Sequence, residues 1–378
     1  MEIQGSSDRL ALVLSGGGAR AAYQVGVLSA MAEMYPALRI PIITGVSAGA
    51  INASYLAANT GGFQEAVAGL QTEWGRLVSN RVYAFRYGKV VPYVARTIVD
   101  SIRGRKSGRP AIRGFLDMSP LRSFLKECVD LSGIDRNLAN GKLIAAALSA
   151  TSYSQRATVT FVQGSSEIEM WRRTRRYSVR GKLSLDHVMA SVAIPLIFEA
   201  VCLDDAYYGD GSIRQTAPLA PSIHLGAEKI IAISMRRQGP PSAPAVCDLD
   251  YPSAAELLGV IFNSVFIDAL DADAERLDRI NGVLQAIPDG TSLKESLRPI
   301  KLLLIRPSQD LGEMARGVSF AISPQLAFAV RAMGGRRDRA SDFLSYLMFD
   351  PAYTTPLMEL GYRDAMAQSE EIASFIEA

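Results

Sequence analysis

Histidine is nearly absent from the 378-residue chain: only His187 and His224 occur. A mechanism resting on a histidine base therefore has two candidates, and a His-rich metal site has none. Cysteine is scarce too. Cys128, Cys202 and Cys247 are odd in number and widely spaced, which fits neither a metal pattern nor a disulfide framework. They are expected as small buried residues in a reducing compartment. Charge of one sign is missing as well: 40 basic against 38 acidic residues leave +2, which gives no footprint for nucleic acid. The longest uncharged stretch, residues 40–64, contains Gly45, Ser47, Gly49, Asn52, Asn59, Gly61 and Gly62. That density of small and polar residues suits a strand, a tight turn and a helix rather than a membrane span. Residues 1–9 are polar, with no basic region followed by an apolar run, so no secretory signal is expected and the protein is expected to be cytoplasmic.

Short apolar runs alternate with longer helical patterns. Residues 10–14, 39–44, 143–148, 157–162, 229–234 and 301–305 are expected as strands, and 19–34 and 48–58 as helices that open straight after a glycine turn. Ile230, Ile231, Ala232 and Ile233 show no alternation, as expected of a parallel strand covered on both faces. The pattern predicts a three-layer α/β/α sandwich with a mostly parallel central sheet. After a Pro/Ser/Ala-rich linker at residues 239–244 the sequence turns mostly helical, so residues 1–240 are expected as one domain and 245–378 as a helical extension. Residues 81–113 carry nine basic residues and a single acid, Asp100, and suit a basic lid or insertion. Each basic residue beside an anionic lipid surface adds about 1 kcal/mol. A solvated face is the plainer reading. A second basic cluster spans residues 172–182.

The sharpest chemical signal is Gly45-Val46-Ser47-Ala48-Gly49. A strand before it and a helix after it are the setting of a nucleophile elbow. The turn is strained, so glycines two positions either side of the serine remove side chains that would clash. Ser47 then sits at a helix N-terminus, whose partial positive charge favours a nearby oxyanion. A second strand–turn–helix junction carries Gly16-Gly17-Gly18-Ala19-Arg20. Consecutive glycines leave backbone N–H groups free to face an anion. Gly16-x-Gly18-x-x-Ala21 also satisfies a dinucleotide fingerprint, but that needs an acid about 20 residues on, at the end of the next strand. That strand ends Ile42-Ile43-Thr44-Gly45, without one.

A serine nucleophile needs a base. The order Ser47, Asp210, His224 permits a triad, yet His224 falls on a helix leading into a strand and His187 on an amphipathic helix. Asp210, in Tyr208-Gly209-Asp210-Gly211-Ser212, stands between glycines just after an expected strand. A carboxylate within hydrogen-bond reach and partly desolvated can take the serine proton itself. A plain Asp-Gly hairpin turn is the rival reading.

Taken in order, these three motifs resemble the patatin-like phospholipase family, and Ala190-Ser191-Val192-Ala193-Ile194-Pro195 resembles the loop that precedes its aspartate. The resemblance covers residues 10 to 235. It implies a Ser47–Asp210 dyad, an oxyanion hole at Gly16, Gly17 and Gly18, and motif support from Arg20, Gly45, Gly49 and Gly211. It further implies no metal or other cofactor, and hydrolysis of lipid acyl esters during transient contact with a membrane surface. Arg20 would steady the oxyanion loop or meet a phosphate; a helix-surface arginine is the alternative. The sequence departs from the family at Ala21, Ser212 and Thr216, which bears on substrate preference. Residues 346–351 resemble the extension of bacterial members. Two other readings remain: an effector whose hydrolase is switched on through the tail, and an inactive binding scaffold.

Overall fold

The computed structural model describes residues 9–85, 114–239, 251–288, 297–318, 322–336 and 339–377. Most of the basic segment 81–113, most of the linker, and Cys247 lie outside the described residues.

Twelve strands occur among them: β1 (Leu10–Leu14), β2 (Ile42–Val46), β3 (Ala84–Phe85), β4 (Leu116–Asp117), β5 (Ala145–Ser152), β6 (Ala157–Gly164), β7 (Arg172–Arg173), β8 (Arg176–Arg180), β9 (Val201–Leu203), β10 (Ala206–Asp210), β11 (Lys229–Ile233) and β12 (Lys301–Ile305). The large sheet runs β12-β11-β1-β2-β5-β6-β8-β7, with β10 and β9 attached at the far end of β5. From β12 to β5 all pairings are parallel. The central strands are accordingly apolar on both faces, and alternate residues part company across the sheet. Leu10, Leu12 and Leu14 enter one core, while Ala11 and Val13 enter another on the opposite face. Helices α1 (Ala22–Met34), α2 (Ala48–Ala58) and α3 (Phe63–Gly75) cover the first face. The helix Asp268–Ala286 and Leu219 and Leu225 cover the second. The expected three-layer sandwich is thus present.

The sheet is nevertheless mixed. β5 and β6 pair antiparallel, because residues 153–156 are too few for a crossover and can form only a hairpin. The basic cluster at 172–182 forms the β7–β8 hairpin at the sheet's end, where exposed charge discourages edge-to-edge pairing. β2 begins at Ile42 rather than Arg39, since Pro41 has no N–H to give the ladder. α1 is preceded by a 3₁₀ turn, Gly18–Ala21. The cysteines correct another expectation: Cys202 is exposed on the short strand β9 and Cys128 is half-buried, so neither is a core residue.

Residues beyond 251 are mostly helical, and they add to the same body. β12 extends the sheet, and the helix Pro351–Ala367 lies against α1. The two helices touch through glycine: a Cβ on Gly26 would stand 1.9 Å from the Met358 carbonyl oxygen, and one on Gly361 would stand 2.2 Å from that of Tyr23. At that separation backbones meet directly, and the Tyr23 hydroxyl donates to Asp364 at 3.1 Å.

Candidate active site

The sheet itself brings the serine and the aspartate together. β5 is long enough to pair with two strands in succession. Its residues Ala145 to Ser149 take β2, and Ala150 to Ser152 take β10 running the opposite way. Val46 therefore faces Ser149 and Asp210 faces Ala150, so both strands end at one point on β5. Ser47 is the next residue of β2's chain, and its Oγ donates to Asp210 Oδ2 at 2.5 Å.

Ser47 occupies φ 54, ψ −133, a conformation that costs a residue with a side chain about 1–3 kcal/mol. Neighbours hold it there. Its N–H donates to Ser191 Oγ at 2.9 Å, and Ser191 Oγ in turn donates to the Ser149 carbonyl at 2.7 Å. The flanking glycines are steric necessities: a Cβ on Gly45 would come 2.5 Å from the Gly49 carbonyl oxygen, and one on Gly49 would come 2.2 Å from that of Leu14. Gly211 is equally constrained, 2.1 Å from the Ser149 carbonyl oxygen.

Asp210 is wholly buried, its N–H donating to the Ala193 carbonyl and its Oδ1 accepting from the Ser212 N–H at 2.9 Å. Burial pushes its carboxyl up to about 7, while the hydrogen bonds from Ser47 and Ser212 pull in the other direction. A buried acid poised there can hold or release a proton near neutrality.

The glycine loop passes against Ser47. A Cβ on Gly16 would lie 2.9 Å from Ser47 Cβ and 2.6 Å from Ser212 Oγ. Among the described residues, no acceptor takes a hydrogen bond from the Gly17 or Gly18 amide. Arg20 anchors the start of the following turn. It is buried, not on a helix surface, and its guanidinium is engaged by the tail: Nε donates to Ser345 Oγ at 2.7 Å, Nη1 to Asn263 Oδ1 at 3.1 Å and Nη2 to Asp342 Oδ1 at 3.1 Å. The group also lies over the Tyr346 ring, 4.3 Å from its centroid. These bonds tie the glycine loop to the tail.

The sequence profile of patatin-like phospholipases matches residues 12–223, more than half the chain and all three motifs. The chain belongs to the patatin-like phospholipase family. No curated protein sequence matches it. Among solved structures, it is similar to VipD from Legionella pneumophila at 11% identity and TM-score 0.31, over 93% of this chain and 67% of that one. It is also similar to human GIVD cytosolic phospholipase A2 in complex with methyl γ-linolenyl fluorophosphonate, at 13% identity and TM-score 0.45. That match covers 97% of this chain and 59% of the other, so the chain spans less than two thirds of the human protein.

In this patatin-like chain neither histidine takes part in the hydrogen bonds of Ser47 or Asp210. His187 Nδ1 accepts from the Ser184 N–H at 3.0 Å, capping the helix Leu185–Val192, and its ring stands edge-on to Phe161. His224 is stacked on Trp171, with centroids 4.7 Å apart; burial, then Arg173, Arg176 and Arg298, push its pKa down to about 4. A triad would need one of them at the carboxylate. His187→Asn and His224→Asn are each expected to keep ester turnover within about tenfold of the parent, ~1.4 kcal/mol of barrier, which altered packing alone can cause. A folded His224→Asn protein that has lost turnover a thousandfold would reinstate the triad.

Ser47 opens onto a narrow apolar cleft walled by Ile51, Leu121, Val192, Ile194, Phe198 and Phe349. Four residues around Ser47 were not legible as site residues. Ser191, which holds the Ser47 amide, sits in the stretch that resembles the family's pre-aspartate loop, but nothing local marks its partner. Tyr346, Leu347 and Phe349 come from the tail, some 300 residues from Ser47 in sequence. No group of three or more His, Cys, Asp or Glu side chains is placed to hold a metal ion among the described residues.

Proposed function

We propose that this chain is a lipid acyl hydrolase in which Ser47 is the nucleophile and Asp210 the base. The observation that carries the reading is the 2.5 Å hydrogen bond to a fully buried carboxylate from the Oγ of Ser47, which lines an apolar cleft. As Ser47 Oγ attacks the ester carbonyl, its proton passes to Asp210 Oδ2. The carbonyl oxygen becomes an oxyanion facing the Gly17 and Gly18 amides and the N-terminus of α2, where one lost donor costs about 2.7–4 kcal/mol. Collapse breaks the ester C–O bond, and Asp210 returns the proton to the departing alkoxide. Water then attacks the acyl-serine, giving its proton to Asp210, and the second collapse frees a fatty acid and restores Ser47 with that proton.

The apolar cleft favours an acyl chain over a charged or sugar-like substrate. Two exposed side chains flank its mouth: Leu196, 75% exposed and two residues from the cleft-lining Ile194 and Phe198, and Phe115, 46% exposed, whose N–H donates to the Leu196 carbonyl. Apolar groups held out in water beside the entrance suit contact with a lipid surface. No helix among the described residues is long and apolar enough to cross a membrane. A second reading, an effector switched through its tail, is favoured by the contact of Tyr346, Ser345 and Asp342 with the glycine loop and Arg20. It keeps the same chemistry and adds a control element.

A fluorophosphonate tests the nucleophile directly. It is expected to modify Ser47, identified by mass spectrometry of the labelled peptide, and to block fatty-acid release in step with labelling. The rate should follow the ionised fraction of Asp210, low at pH 5 and rising through about 7 to a plateau above pH 8. Labelling at a different residue, or a rate that falls across that window, would remove the proposed dyad.

A further inference from the structure

The cleft at Ser47 is short. Its free space is about 30 Å³, room for roughly two water molecules at about 15 Å³ each. A long acyl chain does not fit there. Behind it lies a second pocket of about 210 Å³ walled by Ile51, Ser54, Leu125, Val129, Leu185 and Val188, with Lys126 and Asp130 at its polar edge. Ile51 lines both spaces.

The same three helices build both. On α2, Ser47 and Ile51 face the cleft and Ile51 and Ser54 the second pocket, the i, i+4, i+7 spacing of one helical face. On the helix Ser119–Cys128, Leu121 faces the cleft and Leu125, one turn on, the pocket. On the helix Leu185–Val192, Val192 faces the cleft while Val188 and Leu185 continue into the pocket. Three helical faces thus start beside Ser47 and run on together, for about 10 Å (seven residues of helical rise) on α2 and on the helix Leu185–Val192 and for about 6 Å on the helix Ser119–Cys128. Ser54 is buried in the second pocket, and its Oγ has no hydrogen-bond partner. That wall is left without an internal tie and meets whatever fills the space.

The geometry points to the second pocket as the seat of the distal part of a long acyl chain, with Ile51 as the threshold between the reacting end and the tail. The inference rests on acyl hydrolysis at Ser47 and adds to it a chain-length preference set by residues one to two helical turns from the chemistry. A short acyl group ends within the cleft and never meets Val129 or Leu185; a long one must pass Ile51 and lie against both. Each methylene withdrawn from an apolar pocket is worth about tenfold in specificity.

Val129 and Leu185 are half-buried on different walls of the pocket, so each can take a larger side chain without rebuilding the core. In the full chain, Val129→Trp and Leu185→Trp are expected to lower kcat/KM for a hexadecanoyl ester at least about tenfold and to leave that for a butanoyl ester near the parent value. The butanoyl rate also reports whether each variant is folded, and a variant that fails it leaves the other to decide. Equal loss on both esters by a variant whose circular dichroism and melting temperature match the parent's, or no loss on either ester, overturns the pocket assignment. A parent protein that cleaves neither ester and takes no fluorophosphonate at Ser47 instead overturns the acyl hydrolase reading beneath it.

Discussion

Asp210→Asn is expected to lower ester hydrolysis by at least about a thousandfold, ~4 kcal/mol of barrier, and at the same time to make the protein more stable above pH 7. The first effect follows from the hydrogen bond. Ser47 Oγ donates to Asp210 Oδ2, and among the described residues no second basic side chain is hydrogen-bonded to either group. An amide at that position can hold the hydroxyl but cannot take its proton, so the attack loses its base and the leaving alkoxide its acid. The second effect follows from burial. The Asp210 carboxyl is raised to about 7, against about 3.9 for an aspartate in an unfolded chain. A group whose folded pKa is raised stabilises the fold fully below the unfolded value, and that contribution is lost as pH rises through the folded value. Three units correspond to about 4 kcal/mol as an upper figure, at about 1.36 kcal/mol each. The asparagine carries no such charge. Its advantage should therefore be small at pH 4 and grow until about pH 8. Urea unfolding at pH 5 and pH 8, beside hydrolysis of a short-chain nitrophenyl ester, measures both halves. Parent and variant with the same pH dependence of stability would mean that Asp210 is not held as a desolvated carboxylate. Retained turnover would mean that it is not the base. Ser47→Ala is the natural companion: it should be equally inactive, but it keeps the carboxylate and so should keep the parent's loss of stability toward alkaline pH.

What the sequence made legible was local. Strands such as Leu10–Leu14 and Lys229–Ile233 declare themselves through unbroken apolar character, because both of their faces are covered. The glycine turns at 16–18 and 45–49 declare themselves because a Cβ on Gly16, Gly18, Gly45 or Gly49 would stand 2.6, 2.1, 2.5 or 2.2 Å from a neighbouring atom. Their meeting was not legible from spacing. Ser47 and Asp210 are 163 residues apart, and they touch because β5 gives its first half to β2 and its second half to β10. A pattern of apolar residues marks a strand but not the partner it takes along its length. The antiparallel β5–β6 pair could have been read from the short link between the expected strands 143–148 and 157–162, residues 149–156, too few for a crossover, and it was the generic expectation of a parallel sheet that hid it. The tail is the larger omission. Nothing in residues 341–349 suggests a catalytic neighbourhood, yet Tyr346, Leu347 and Phe349 line the cleft, and Ser345 and Asp342 accept three hydrogen bonds from Arg20, one of them at the Asp342 backbone carbonyl.

That contact makes the other large prediction. Gly18→Ala is expected to cost between a hundredfold and a thousandfold in kcat/KM, roughly the loss of one oxyanion donor, with a lesser loss of stability. Two terms add. Gly18 has φ +57, and a residue with a side chain in the left-handed region costs about 1–2 kcal/mol. The new methyl would also stand 2.1 Å from the Tyr346 carbonyl oxygen. A backbone atom cannot rotate away, so either the 341–349 segment withdraws or the glycine loop does. Arg20 opposes the first, because its guanidinium ties Ser345 and Asp342 to the turn that begins at Gly18. The loop is therefore the part that moves, and it carries the amides assigned to the oxyanion. Gly282→Ala is the control, since the helix Asp268–Ala286 leaves open space around that position. It should stabilise the fold by about 0.5–1 kcal/mol and leave turnover unchanged. If Gly18→Ala keeps kcat/KM within about threefold while losing stability, the tail yields instead of the loop. The oxyanion hole would then stand without its C-terminal buttress, and a switch acting through the tail would have no mechanical path to Ser47.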